Sequence, residues 1–141
     1  MAFWDSSAIV PLCVHQPSAG RMRRLTVQHS RFVVWWGSSV EVRGALARLT
    51  WEGTIDSSAL TQAQDRLMTL RRSWTEIEPT QGVRGIAELL PERINLRAAD
   101  AFQLAAALVW CNERPRNRPF ITIDHRLAVA ASKIGFLVLG A

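Results

Sequence analysis

At 141 residues, 48% of them hydrophobic and 21% charged, the chain suits one domain with a sizeable core and is too apolar for a disordered segment. No run approaches about 18 uninterrupted apolar residues, which excludes a membrane-spanning helix, and the first residues lack the basic stretch of a secretory leader. The net charge is +5 and Lys133 is the one lysine among 17 basic residues, a guanidinium-rich balance that leans toward phosphate-bearing partners.

In chain order, "AFWD" reads as a short strand and "SSAIVPLCV" as a helix that Pro11 shortens or tightens. "SAGRMRRLTVQ" has helical spacing, with Met22, Leu25 and Val27 toward the core. "RFVVWW" is a buried strand closed by Gly37, and "SSVEVRGALARLTWEG" a helix whose stripe is Val42, Ala45, Leu46 and Leu49 and which Gly53 ends. "DSSALTQAQDRLMTLRRSW" is a helix with Asp56 as N-cap. "TEIEP" is a short strand, and a helix from Thr80 to Leu90 stops at Pro91. "RAADAFQLAAALVWCNE" is an alanine-rich buried helix, "RPFITID" a strand, "HRLAVAASKIG" a helix closed by Gly135, and "FLVLG" the last strand. Alternating strands and helices predict a single domain over 1–141, α/β in class. Its architecture is a three-layer α/β/α sandwich with a central, mostly parallel sheet of about five strands.

Cys13 and Cys111 lie far apart with no CxxC pattern, which fits two small buried hydrophobes in a reducing, cytoplasmic compartment. His15, His29 and His125 have no carboxylate partner at an evident spacing, and no GxSxG elbow supports a serine nucleophile. Trp35 and Trp36 read as sheet core, and Trp51, Trp74 and Trp110 as helix packing. Arg21, Arg23 and Arg24, with Arg71 and Arg72, form either an RNA-facing groove or a solvated face.

Four carboxylates stand out. Asp5, Glu41 and Asp124 each follow a strand, where open parallel sheets bind their ligands. Asp100 has Leu96, Leu104 and Leu108 at i−4, i+4 and i+8, so its carboxylate lies on or beside an apolar stripe, at a cost unless paired or metal-bound. Each acid also has a capping reading: Asp5 and Asp124 as helix N-caps, "SSVE" as a capping box from Ser38 to Glu41, and Asp100 in a late helix start. Caps do not need to share one sheet edge, however. Clustered carboxylates repel, and a hard divalent cation such as Mg²⁺ relieves that repulsion. With phosphate-seeking arginines outside, such a cluster suits a metal-dependent nuclease.

The chain resembles the PIN domain family, and within it the VapC toxins of bacterial toxin–antitoxin pairs. The resemblance is carried by "DSSAIV", "WWGSSVEVRGALARL", "LRAADAFQLAAAL" and "FITIDHRLAVAASKIGFLVL" and spans nearly the whole chain. It implies that Asp5, Glu41, Asp100 and Asp124 bind Mg²⁺ or Mn²⁺ and carry out RNA cleavage, with Ser6 and Thr122 supporting. It implies a cognate small antitoxin as partner, and a homodimer for which Leu25 and the Leu46–Leu49 segment are candidate surfaces. Gln103 stands where many relatives have His; Gln cannot titrate and is assigned no catalytic role. The loop "NERPRNRP" places Arg114, Arg116 and Arg118 as candidate RNA contacts, against the reading of a solvated connection. Two rivals remain. A haloacid-dehalogenase-type phosphatase needs a second Asp two positions after the first, where this chain has Ser7. A catalytically inactive PIN-like binding module should lack one or more acids, and all four are present.

Overall fold

The computed structural model describes residues 1–141 and contains five strands and seven helices. The strands are β1 (Ala2–Trp4), β2 (Phe32–Trp35), β3 (Thr75–Ile77), β4 (Pro119–Ile121) and β5 (Leu137–Leu139). The helices are α1 (Ser6–Cys13), α2 (Ala19–Gln28), α3 (Ser38–Trp51), α4 (Ser57–Ser73), α5 (Gln81–Arg93), α6 (Ala98–Trp110) and α7 (His125–Ile134). All strand pairs are parallel, and the order across the sheet is β3-β2-β1-β4-β5. Register follows from the pairs Phe3–Val33 and Trp4–Ile121, which bring the carboxyl ends of the three central strands to one edge.

The three layers follow from side-chain alternation along the strands. Phe3, Val33, Trp35 and Phe120 point to one face and pack with Leu90 of α5, Leu104 and Leu108 of α6 and Leu127 of α7. Ala2, Trp4, Phe32, Val34 and Ile121 point to the other and pack with Ile9 of α1, Met22 of α2, Leu46 of α3 and Leu67 of α4. A sheet covered on both faces needs near-continuous apolar strands, and "AFW" and "FVVW" are fully buried along their length. No helix is long and apolar enough to cross a membrane.

Several expectations need correction. Val27 is 83% exposed, so the buried side of α2 is Ala19 and Met22. Pro91 does not stop α5, which runs on to Arg93. Proline already holds a helical φ and removes one donor, and the turn is closed beyond it by Ile94 N–H donating to the Leu90 carbonyl. Pro11 is likewise accommodated inside α1. Trp36 and Trp51 were expected in the interior; both are exposed, Trp51 at the very end of α3. Leu46 is fully buried, which removes it as a dimer surface, and Leu25 and Leu49 pack partly against the core.

Candidate metal centre

The sheet order places a topological switch between β1 and β4: from β1 the chain winds outward to β2 and β3, whereas β4 and β5 extend the sheet on the other side. Ligand crevices of open parallel sheets form at the carboxyl ends of strands flanking such a switch. Asp5 follows β1 and Asp124 follows β4, so both stand in that crevice.

Asp5 is 4% exposed and tightly held. It caps α1, accepting the Ser7 N–H at Oδ2, and the same oxygen accepts the Ser7 hydroxyl and, at 2.9 Å, the Thr122 hydroxyl. Oδ2 is thereby filled by protein donors, while Oδ1 has only the Ser6 hydroxyl at 3.5 Å and is the oxygen left for another partner. Thr122, fully buried, also accepts the Asp124 N–H at 3.1 Å, which ties the two acids through one side chain. Ser7 accepts the Ile123 N–H at 3.2 Å and so bolts α1 to the segment after β4. Burial raises the pKa of Asp5; hydrogen bonds from Ser7 and Thr122 offset this, and the charge of Asp124 adds to it.

Asp124 caps α7 by accepting the Leu127 N–H at 3.1 Å. Capping and site membership are therefore compatible for both Asp5 and Asp124. The capping box proposed from "SSVE" is not formed: Gly37 is the N-cap of α3, without a side-chain cap. Glu41 instead reaches across the sheet edge, accepting Gln103 Nε2 at 2.8 Å and the Ser6 hydroxyl at 3.3 Å. Its carboxyl is pushed up to about 7, first by burial and then by the charges of Asp5 and Asp100, against the lowering effect of Gln103 and Ser6.

Asp100 lies in the first turn of α6 and is 9% exposed. Its Oδ2 is buried without a hydrogen-bond partner, and the Arg97 guanidinium stands 3.7 Å away, beyond hydrogen-bond reach. Gln103 Oε1 is a second buried oxygen with no donor. The crevice is thus rich in acceptors and short of donors. Asp5 Oδ1, Asp100 Oδ2 and the carboxylates of Glu41 and Asp124 are hard oxygens of the kind Mg²⁺ or Mn²⁺ takes, so the donor chemistry fits such an ion. As the side chains stand, no three His, Cys, Asp or Glu residues converge closely enough to hold a metal.

Two residues that hold the site together were missed. Gln103, set aside because it cannot titrate, is buried and links Glu41 to the Ser38 hydroxyl at 3.1 Å. Ser7 was read only as the residue excluding a phosphatase. Both signals were present: Gln103 follows Asp100 at i+3, on the same side of its helix, and Ser7 lies at the N2 position an N-capping Asp5 addresses. Arg114, Arg116 and Arg118 do not border the acids. α6 starts at the acid-bearing edge and runs back along the sheet, so the loop before β4 lies at the amino-terminal edge. There the Arg118 carbonyl accepts the Leu137 N–H at the start of β5, and the Arg118 side chain lies 5.3 Å over the Trp110 ring.

No family model and no curated protein matches the chain. It superposes on the crystal structure of PAE2754 from Pyrobaculum aerophilum with a TM-score of 0.65 at 18% identity, covering 98% of this chain and 88% of that one. It superposes on FitAcB from Neisseria gonorrhoeae with a TM-score of 0.64 at 15% identity, covering 98% of this chain and 96% of that one. At these identities the likeness is one of fold, and it supports the three-layer α/β/α sandwich with a five-stranded parallel sheet.

Proposed function

We propose that this chain is a Mg²⁺- or Mn²⁺-dependent endoribonuclease acting as the toxin of a toxin–antitoxin pair. The observation that supports the nuclease reading is the acceptor-rich crevice at the sheet switch, where the charges of Asp5, Glu41, Asp100 and Asp124 act on one another and Asp100 Oδ2 is buried without a hydrogen bond. A divalent cation bound there neutralises charge on a phosphodiester and makes water a better nucleophile at neutral pH. Asp5 Oδ1, Asp100, Asp124 and Glu41 would hold it. The chain's own residues do the positioning. Ser7 and Thr122 occupy Asp5 Oδ2, which fixes the direction of Oδ1. Gln103 and Ser6 orient Glu41 toward the crevice.

The choice of RNA, the small antitoxin partner and the homodimer rest on the resemblance to VapC toxins, and a cytoplasmic location on the two separate, unpaired cysteines. The charge of +5 supports a polyanionic substrate and an acidic or amphipathic antitoxin segment. The test is cleavage of single-stranded RNA by wild type, Asp5→Asn and Asp100→Asn, with Mg²⁺ or Mn²⁺ and with chelator. Cleavage is expected only from wild type with metal, and expression of the variants is expected not to arrest growth. Cleavage that survives chelator, or that both variants retain at matched protein levels, would overturn the reading.

A further inference from the structure

β2 ends in two adjacent tryptophans that behave oppositely. Trp35 is packed inward and stacks on Phe102 of α6, with ring centroids 5.2 Å apart and planes within 5°. Trp36 turns outward, is 51% exposed, and meets Trp35 edge-on at 6.4 Å and 69°. The two indoles form a corner, and the chain leaves it through Gly37, where a Cβ would stand 2.7 Å from Trp35 Nε1. Thr80 and Arg84 at the start of α5 line it too, and the cleft, open to solvent, is about 440 Å³. Arg84 is not a free side chain: it donates to Gln81 Oε1 at 2.6 Å and stands 3.7 Å from Glu88.

The cavity follows β2 and β3 and so lies at the same carboxyl edge of the sheet as the acids. Gly37 precedes Ser38, whose hydroxyl accepts from Gln103, and Gln103 holds Glu41. Phe102 is next to Gln103 and two residues beyond Asp100 on α6. A strand of nucleic acid crossing the carboxyl edge of the sheet therefore passes from the acids to the tryptophan corner.

We propose that this cavity, walled by Trp35, Trp36, Phe102 and Arg84, is a subsite for one unpaired base of single-stranded RNA beside the scissile phosphate. The inference rests on the nuclease reading above and adds a specificity-determining contact to it. The exposed Trp36 indole beside an oriented guanidinium suits a flat π-system with polar edges, and stacking on aromatic side chains is how unpaired bases are held. The volume falls in the range of small-molecule sites. A large aromatic left half in water, at the edge that bears the acids, gains its contact area when a base covers it.

The experiment compares wild type, Trp36→Ala, Trp36→Phe and Arg84→Ala on short unstructured RNAs, each carrying one abasic position, with Mg²⁺ present. Thermal unfolding verifies that each variant is folded. Trp36→Ala is expected to raise KM about tenfold, a loss of the size expected for one stacked base, with the effect falling on KM rather than kcat. Trp36→Phe should recover most of the affinity. One abasic position should weaken wild type about as much and leave Trp36→Ala insensitive. Wild-type KM in Trp36→Ala, or equal sensitivity of both proteins to every abasic position, would overturn the subsite while leaving the nuclease reading intact. If wild type cleaves no RNA, both readings fall together. A Trp36→Ala protein that cleaves normally but no longer binds an inhibitory partner would assign the cavity to protein docking and overturn the proposal.

Discussion

Thr122 spends one buried hydroxyl twice, donating to Asp5 Oδ2 at 2.9 Å and accepting the Asp124 N–H at 3.1 Å. Thr122→Val keeps the shape and loses both bonds. It is expected to lower stability by about 1–3 kcal/mol, because a buried N–H loses its partner. It should also lower metal affinity or cleavage about 10–100-fold, as for other groups that orient a ligand. Unchanged cleavage kinetics would show that Asp5 needs no such brace. Glu41 supplies a test by pH. Burial raises its carboxyl from 4.5 to about 7, so between these values the fold keeps a proton that the unfolded chain has released. Stability of the metal-free protein should therefore fall as pH rises through that window and level off above it, with Asp5 adding in the same direction. In Glu41→Gln the fall should be shallower; melting temperatures recorded across the window in chelator give the answer, and an unaltered slope would contradict it. Asp5 and Asp124 were legible because each follows a strand. The i+3 spacing put Gln103 on the side of Asp100, but its partner Glu41 was not legible, since the fold brings it there from α3.

Elements ended where local chemistry was strong. Asp56 caps α4 by accepting the Ala59 N–H, as its position before "SSAL" implied, and Gly135 closes α7 with a φ of 119°. They ended elsewhere where tertiary packing outweighed a local signal. α5 continues past Pro91 because Leu90 is buried on the sheet and the last turn closes through Ile94. The same helix carries Gly85, exposed, with nothing within 4 Å of where a Cβ would stand. Gly85→Ala should stabilise the protein by about 0.5–1 kcal/mol through lower unfolded-state entropy and better helix propensity. Denaturant unfolding reads this directly, and a destabilised variant would show that the exposed face of α5 is not free. The loop arginines illustrate a second way in which the fold decides position. Their charge was visible in sequence, but helices between parallel strands run back to the amino-terminal edge, so 114–118 begins at the far side of the sheet from Asp124. Trp36 illustrates a third: alternation along "RFVVWW" could not show that β2 ends at Trp35 and that the next ring turns outward.

For the whole molecule, parallel strands alternating with helices were readable from hydrophobic patterning, and the order β3-β2-β1-β4-β5 supplies what patterning alone does not. It puts β1 and β4 side by side although most of the chain separates them, and thereby brings Asp5, Ser7, Thr122 and Asp124 into one hydrogen-bonded unit. Asp100 and Gln103 arrive from the helical layer on one face of the sheet, and Glu41 from the helix packed on the other. The carboxylates are proposed to form one cation site. Crystals of the wild-type protein soaked in Mn²⁺ test it most directly, by the anomalous scattering of the ion. A peak is expected in the crevice with Asp5 Oδ1 and Asp100 at coordination distance, about 2.1 Å, and no such peak in Asp100→Asn. Crystals that take up Mn²⁺ elsewhere, or not at all, with the four carboxylates left apart, would contradict it.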